Sequence, residues 1–172
     1  MTDILEELID TSDNRKVKCL KPSPDIPEGV IETLILNEEA SEVADSDFFK
    51  CLGAFFAFSF LTGQSFGVEL APAVWKQIVG DKILIEDLMK IDQSAYHRLI
   101  AQFPNGGPEL DKAVSMYFDQ TREQVESIRK GMDLVLGGKL NAIAYMPLKN
   151  FSERINGMPD FKIEDLKKIT KF

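Results

Sequence analysis

Residues 45–63 read DSDFFKCLGAFFAFSFLTG. Asp45, Ser46 and Asp47 are residue types that cap helix N-termini, because a short side-chain oxygen accepts a free backbone N–H. Residues 48–61 then run apolar on almost every side, interrupted by Lys50, and Gly63 is placed for a left-handed C-cap. A helix that is apolar all round belongs in the middle of a domain, with other helices packed about it. The run is too short to cross a bilayer. It predicts a buried central helix, with Phe55, Phe56 and Leu61 in the core and Cys51 as a buried thiol.

Working outward, the helical punctuation continues. Pro72 opens a helix whose inward face is Val74, Trp75, Ile78 and Val79, and Gly80 closes it. A short segment follows at 85–90. Asp92 caps a helix carrying Tyr96, Leu99, Ile100 and Phe103 on one side, and Pro104, Gly106, Gly107 and Pro108 break it. From 108 to 136 the apolar positions Leu110, Val114, Tyr117, Val125, Ile128, Met132 and Val135 keep near a 3.6-residue period. This predicts one long spine helix of roughly 40 Å at ~1.5 Å per residue. Gly131 within it points to close packing against a neighbour. Residues 140–148 and a segment ending at Gly157 read as further short helices, with Asn150 or Ser152 as a cap. Ile163, Leu166 and Ile169 mark last helical turns, and residues 3–10 a short amphipathic helix.

Before residue 46 the pattern is weaker. Residues 14–20 are short and mixed and suit a strand; 21–29, with Pro22, Pro24 and Pro27, reads as a loop. Residues 30–36 (VIETLIL) fit strand or helix, and 38–47 is acidic and expected at the surface. The fold class is therefore mainly α, with α+β open through a few short strands. Residues 1–172 are expected to form one domain, 1–45 as its N-terminal part and 46–172 as its helical core.

The chain is 44% hydrophobic with 12 Phe, ample for a core, and its net charge of −8 argues against nucleic acid or an anionic membrane as partner. Two cysteines, Cys19 and Cys51, are too few for a disulfide framework, and reduced thiols suit the cytoplasm or nucleus. The acidic N-terminus is not a signal peptide. His97, the only histidine, cannot build a multi-histidine metal site and reads as a surface or half-buried structural residue. Gly106-Gly107 and Gly137-Gly138 look like helix boundaries, not phosphate loops. Glu38-Glu39 and Glu86-Asp87 read as solvated faces or caps. Arg122, Glu126 and Lys130 have the i,i+4 spacing of helix-supporting pairs. The residues yield no catalytic, cofactor or metal site.

Three stretches in order carry a resemblance. Residues 48–99 hold a greasy helix with a Leu-Gly step, a Gly-containing turn, a helix ending KQIVG and a run EDL…ID…Y..L. Residues 120–136, QTREQVESIRKGMDLVL, and 155–172, INGMPDFKIEDLKKITKF, follow. In this order and spacing, covering about half the chain, they resemble the N-terminal lobe of HECT-type ubiquitin ligases, and the chain is identified as a divergent member.

The resemblance implies ubiquitin, a ubiquitin-conjugating enzyme and a C-terminal lobe as partners, with no cofactor. It implies a thiolate that accepts ubiquitin, carried on a C-terminal lobe expected beyond Phe172; neither Cys19 nor Cys51 matches that motif. It also implies a subdomain that grips the conjugating enzyme. Residues 97–120 leave room only for a Pro-Gly loop and a helical lead-in, so that subdomain is expected to be reduced. No residue is assigned to ubiquitin or to the conjugating enzyme. Two other readings stand beside this one: a HECT-like binding module without transfer activity, and an unrelated helical interaction domain.

Overall fold

The computed structural model describes residues 19–29, 33–40, 43–65, 67–143 and 145–157; the expected segments at 3–10 and 163–169 lie outside them. Among the described residues there are eight helices and two short strands, a mainly helical fold. Strands β1 (Leu20–Pro22) and β2 (Leu34–Leu36) pair antiparallel with Leu20 opposite Leu36. The strand thus enters the stretch expected to be all loop, because Pro22 sits on an outer strand opposite Leu34 at a position whose N–H makes no ladder bond, the next bond being Ser23 N–H to the Thr33 carbonyl at 3.0 Å.

Helix α1 (Val43–Thr62) begins earlier than its capping signal. Ser46, expected at the cap, lies inside the helix, and its hydroxyl hydrogen-bonds Ser127 at 3.1 Å. Helices α2 (Pro72–Val79), α3 (Ile85–Met89) and α4 (Gln93–Gln102) follow, then α5 (Pro108–Asp119), α6 (Arg122–Leu136), α7 (Leu140–Ile143) and α8 (Leu148–Asn156). Gly80 ends α2 at φ 82°, and Asp92 caps α4 by accepting Ala95 N–H at 2.7 Å. Helix α8 starts at Leu148 with Pro147 before it, ahead of the expected caps Asn150 and Ser152.

The single spine helix expected over 108–136 is two helices. The amide of Arg122 would need the carbonyl of Phe118 to continue α5. That carbonyl instead accepts Gln77 Nε2 at 2.9 Å and Thr121 Oγ1 at 3.2 Å. Thr121 accordingly sits at φ −108°, ψ 16°, and α6 restarts after it. The apolar stripe passes through the break, so periodicity alone cannot reveal it. Of the expected stripe, Leu110, Val114, Val125, Ile128 and Met132 are buried, but Tyr117 is half-buried and Val135 exposed, and their neighbours Phe118 and Leu136 are buried instead.

Helices α1 and α6 form the centre. A methyl group built on Gly53 would lie 2.0 Å from the Ile128 carbonyl oxygen, and one on Gly131 would lie 1.9 Å from that of Lys50. Each helix therefore touches the other's backbone through a residue with no side chain. Around this crossing lie Phe49, Leu52, Phe56, Ile128 and Met132, all buried. The Phe56 and Trp75 rings meet at 5.0 Å, tilted by 59°, and Trp75 meets Phe151 edge-on at 5.6 Å, which ties in α2 and α8.

The central helix is not enclosed on every side. Phe55 is 38% exposed, Phe58 51% and Leu61 55%, and Cys51 is exposed with them. Cys51, Phe55 and Phe58 follow i, i+4, i+7 spacing and share one face of the helix, with Leu61 at its edge. The expected burial of Phe55, Leu61 and Cys51 is thus overturned, while Phe56, Trp75, Ile78, Val125, Ile128 and Met132 are buried as expected and Leu99 is half-buried. No helix among the described residues is long and apolar enough to cross a membrane.

Arg122 pairs with Asp119 at 2.7 Å, not with Glu126. Asp87, expected as a solvated face or a cap, is a buried cap: its carboxylate accepts Leu84 N–H at 2.9 Å and binds Lys76 Nζ at 2.7 Å.

Two outcomes are expected in thermal or denaturant unfolding. Gly131→Ala should destabilise by about 1–3 kcal/mol or more, because the added methyl collides with backbone that cannot rotate away. Ile128→Ala should cost about 2–5 kcal/mol, and Phe58→Ala, on the open face of α1, less than about 1 kcal/mol.

Candidate functional site

Asp92 carries two duties. As the cap of α4 it accepts Ala95 N–H with Oδ1; with Oδ2 it accepts the Tyr117 hydroxyl of α5 at 2.9 Å. The sequence shows the first duty and hides the second, since a contact across 25 residues leaves no local mark. These two residues line a cleft of about 230 Å³ between the hairpin, α2 and the α5–α6 junction, with Lys21, Glu38, Gln77 and Thr121 among its walls.

The electrostatics of this cleft are internally closed. Lys21 Nζ donates to Glu38 at 2.7 Å. Burial acts to raise the Glu38 pKa, but the Lys21 hydrogen bond, a backbone hydrogen bond and the Lys21 charge together hold it below the ordinary carboxylate value. Burial pushes the Tyr117 hydroxyl above the ordinary tyrosine range, and the Asp92 hydrogen bond and the charges of Asp92 and Glu38 add to this against a smaller opposing effect of Arg98. Tyr117 is thus fixed as a neutral donor. The cleft holds carboxylates, an ammonium, a phenol and an amide, each already engaged, and its chemistry is that of a structural joint.

The groups singled out in the sequence do not converge. His97 is exposed on α4, and Glu38 and Glu39 are exposed beyond β2. Cys51 is exposed on α1, and Cys19 is half-buried beside β1, its carbonyl accepting Asn37 N–H at 3.0 Å.

Between α4 and α5 the chain turns in five residues, 103–107, through Gly106 and Gly107 at φ 64° and 89°. The Gly106 N–H bonds the Phe103 carbonyl at 3.0 Å, which closes the turn tightly. Ahead of this turn come the helices of the first stretch of resemblance: the Leu-Gly helix, the helix ending in Gly80 and the ID…Y..L helix. Against known families, the profile described as HECT-domain (ubiquitin-transferase) matches residues 9–112, more than half of the chain. The chain belongs to the HECT-domain family. The HECT match covers the hairpin, α1 to α4 and the first turn of α5, so it takes in the whole first stretch of resemblance, 48–99. It ends before α6, whose resemblance is carried by QTREQVESIRKGMDLVL and whose glycine lies against the HECT-matched Lys50.

Raising pH through about 10, the ordinary tyrosine value, should test the joint. A phenol whose pKa is raised by folding contributes stability that is present in full below its unfolded pKa and is lost as pH rises toward the folded one. Melting temperatures of the wild type and Tyr117→Phe compared from pH 8 to 11 should differ most at pH 8 and converge as pH rises. A constant difference would show that folding does not raise the pKa of this phenol.

Proposed function

We propose that this chain is the N-terminal lobe of a HECT-type ubiquitin transferase, one domain acting as the platform for a lobe that carries the reactive cysteine. In the whole enzyme, ubiquitin would pass from a conjugating enzyme to that cysteine as a thioester and then to a substrate lysine. The leaving thiolate of the conjugating enzyme and the attacking thiolate exchange the acyl group, so neither oxidant nor cofactor is required. The platform would work in the cytoplasm or nucleus.

The HECT-domain match over residues 9–112 carries this reading. The backbone-to-backbone crossing of α1 and α6 supports it, because a lobe that swings needs a base that does not deform. Engagement of Asp92, Tyr117, Lys21 and Glu38 with one another is in keeping with chemistry performed elsewhere in the enzyme.

The five-residue turn at 103–107 favours a second reading. In it, the docking subdomain is reduced to this turn and the chain is a HECT-like binding module that does not transfer ubiquitin. One experiment separates the two. The full-length protein is mixed with charged conjugating enzymes, one at a time, and resolved with and without reductant. A reductant-sensitive ubiquitin adduct on the protein is the expected outcome. Its absence across all conjugating enzymes would sink the transferase reading and leave the binding module.

A further inference from the structure

Apart from the platform role, and not resting on it, we infer that the open face of α1 is the docking surface for residues 158–172 of the same chain, which return along α1 as an amphipathic helix. The face carries Cys51, Phe55 and Phe58, with Leu61 at its edge, and Phe58 and Leu61 are 51% and 55% exposed. Large apolar side chains exposed together mark a surface that another element covers.

Position is the first observation that selects this occupant. Ser65 Oγ donates to the Asn156 carbonyl, and a methyl group built on Gly157 would lie 3.2 Å from the same hydroxyl oxygen. The chain beyond Gly157 therefore departs from beside Ser65, three residues past the end of α1 at Thr62. From that point the open face runs back toward Cys51. Pattern and length come second. Ile163, Leu166, Ile169 and Phe172 recur every three residues. On a helix they span roughly 14 Å, against roughly 15 Å from Leu61 to Cys51 at ~1.5 Å per residue. Residues 158–162 suffice as the link, because five extended residues reach up to about 17 Å. Acids come early in the segment (Asp160, Glu164, Asp165) and lysines late (Lys167, Lys168, Lys171), the order that a helix dipole favours.

Charge is the third. A segment running antiparallel to α1 carries Lys168 and Lys171 toward the N-terminal half of that helix, where the Asp47 side chain is 79% exposed. The apolar segment at the other terminus, 3–10, bears Asp3, Glu6, Glu7 and Asp10 and would meet Asp47 with like charge. A second copy of the chain competes poorly, since a short link holds the segment at an effective concentration in the millimolar range.

Cys51 reports the docking. In the full chain carrying Cys19→Ser it is the only thiol, and its rate of reaction with dithionitrobenzoate measures how well the face is covered. Adding Leu166→Asp and Ile169→Asp, which alter no described residue, should speed that reaction about tenfold. Equal rates would overturn the proposal. Protection that grows with protein concentration would overturn it too, and would assign the face to a second copy. Bridge formation separates undocking from unfolding. Under mild oxidation, Cys19→Ser with Phe172→Cys should join Cys51 to position 172 within one molecule, whereas Cys19→Ser with Lys162→Cys should stay unbridged. Bridging in neither chain, or equally in both, would overturn the proposal even where the aspartate variant fails to fold.

Discussion

The rest of the structure depends on the contact between two backbones. Where α1 crosses α6, Gly53 and Gly131 each remove the one group that would hold the helices apart, and each meets a carbonyl of the other helix. Helix interiors disfavour glycine, by about 1 kcal/mol against alanine. The molecule accepts that cost twice because close approach lets Phe49, Leu52, Phe56, Ile128 and Met132 bury themselves around the crossing. The bond between Ser46 and Ser127 adds a directional restraint to this contact. The other elements pack onto this pair, α2 and α8 through the Phe56, Trp75 and Phe151 rings and the hairpin through Leu20 and Leu36.

Polar side chains at helix ends fix these secondary contacts. Arg129 donates to the Ile78 carbonyl at the end of α2, and Arg154 donates to the Phe60 carbonyl at 2.7 Å while its guanidinium lies 5.1 Å from the Phe60 ring centre. Both satisfy carbonyls that a helix terminus leaves without an intrahelical partner. Asp92 does the same at an N-terminus and extends the bond to Tyr117. A cap of this kind therefore does more than end its own helix: it sets the angle at which the neighbouring helix arrives.

What was legible in the sequence followed from local chemistry. Pro72 and Gly80 mark their helix, Asp92 marks the start of α4, and the Pro-Gly run at 104–108 marks the turn, because each acts on its own backbone. Gly131 could be read as a packing glycine because its cost in a helix demands a return. The misreadings arose where a distant group decides. Gln77 breaks the spine helix from 41 residues away, and nothing near Thr121 announces it. The open face of α1 was missed because Phe55, Phe58 and Leu61 are as apolar as its buried face. The candidate cleft was illegible for the same reason: Asp92 and Tyr117 meet only in three dimensions. The family, in contrast, could be read from the order of motifs, since order survives where individual contacts cannot be seen.

The Gln77 clamp on Phe118 has a mechanical consequence. A continuous helix from 108 to 136 would act as a lever, transmitting any change in the length or tilt of its first half straight to the glycine crossing. With the hydrogen-bond ladder cut at Phe118, α5 and the turn before it join α6 through a break pinned by Gln77 instead of a continuous shaft. Segments inserted or deleted between α4 and α5 can then tilt α5 while the α1–α6 crossing stays in register. A fold built in this way can change what it presents at one end without re-solving its centre.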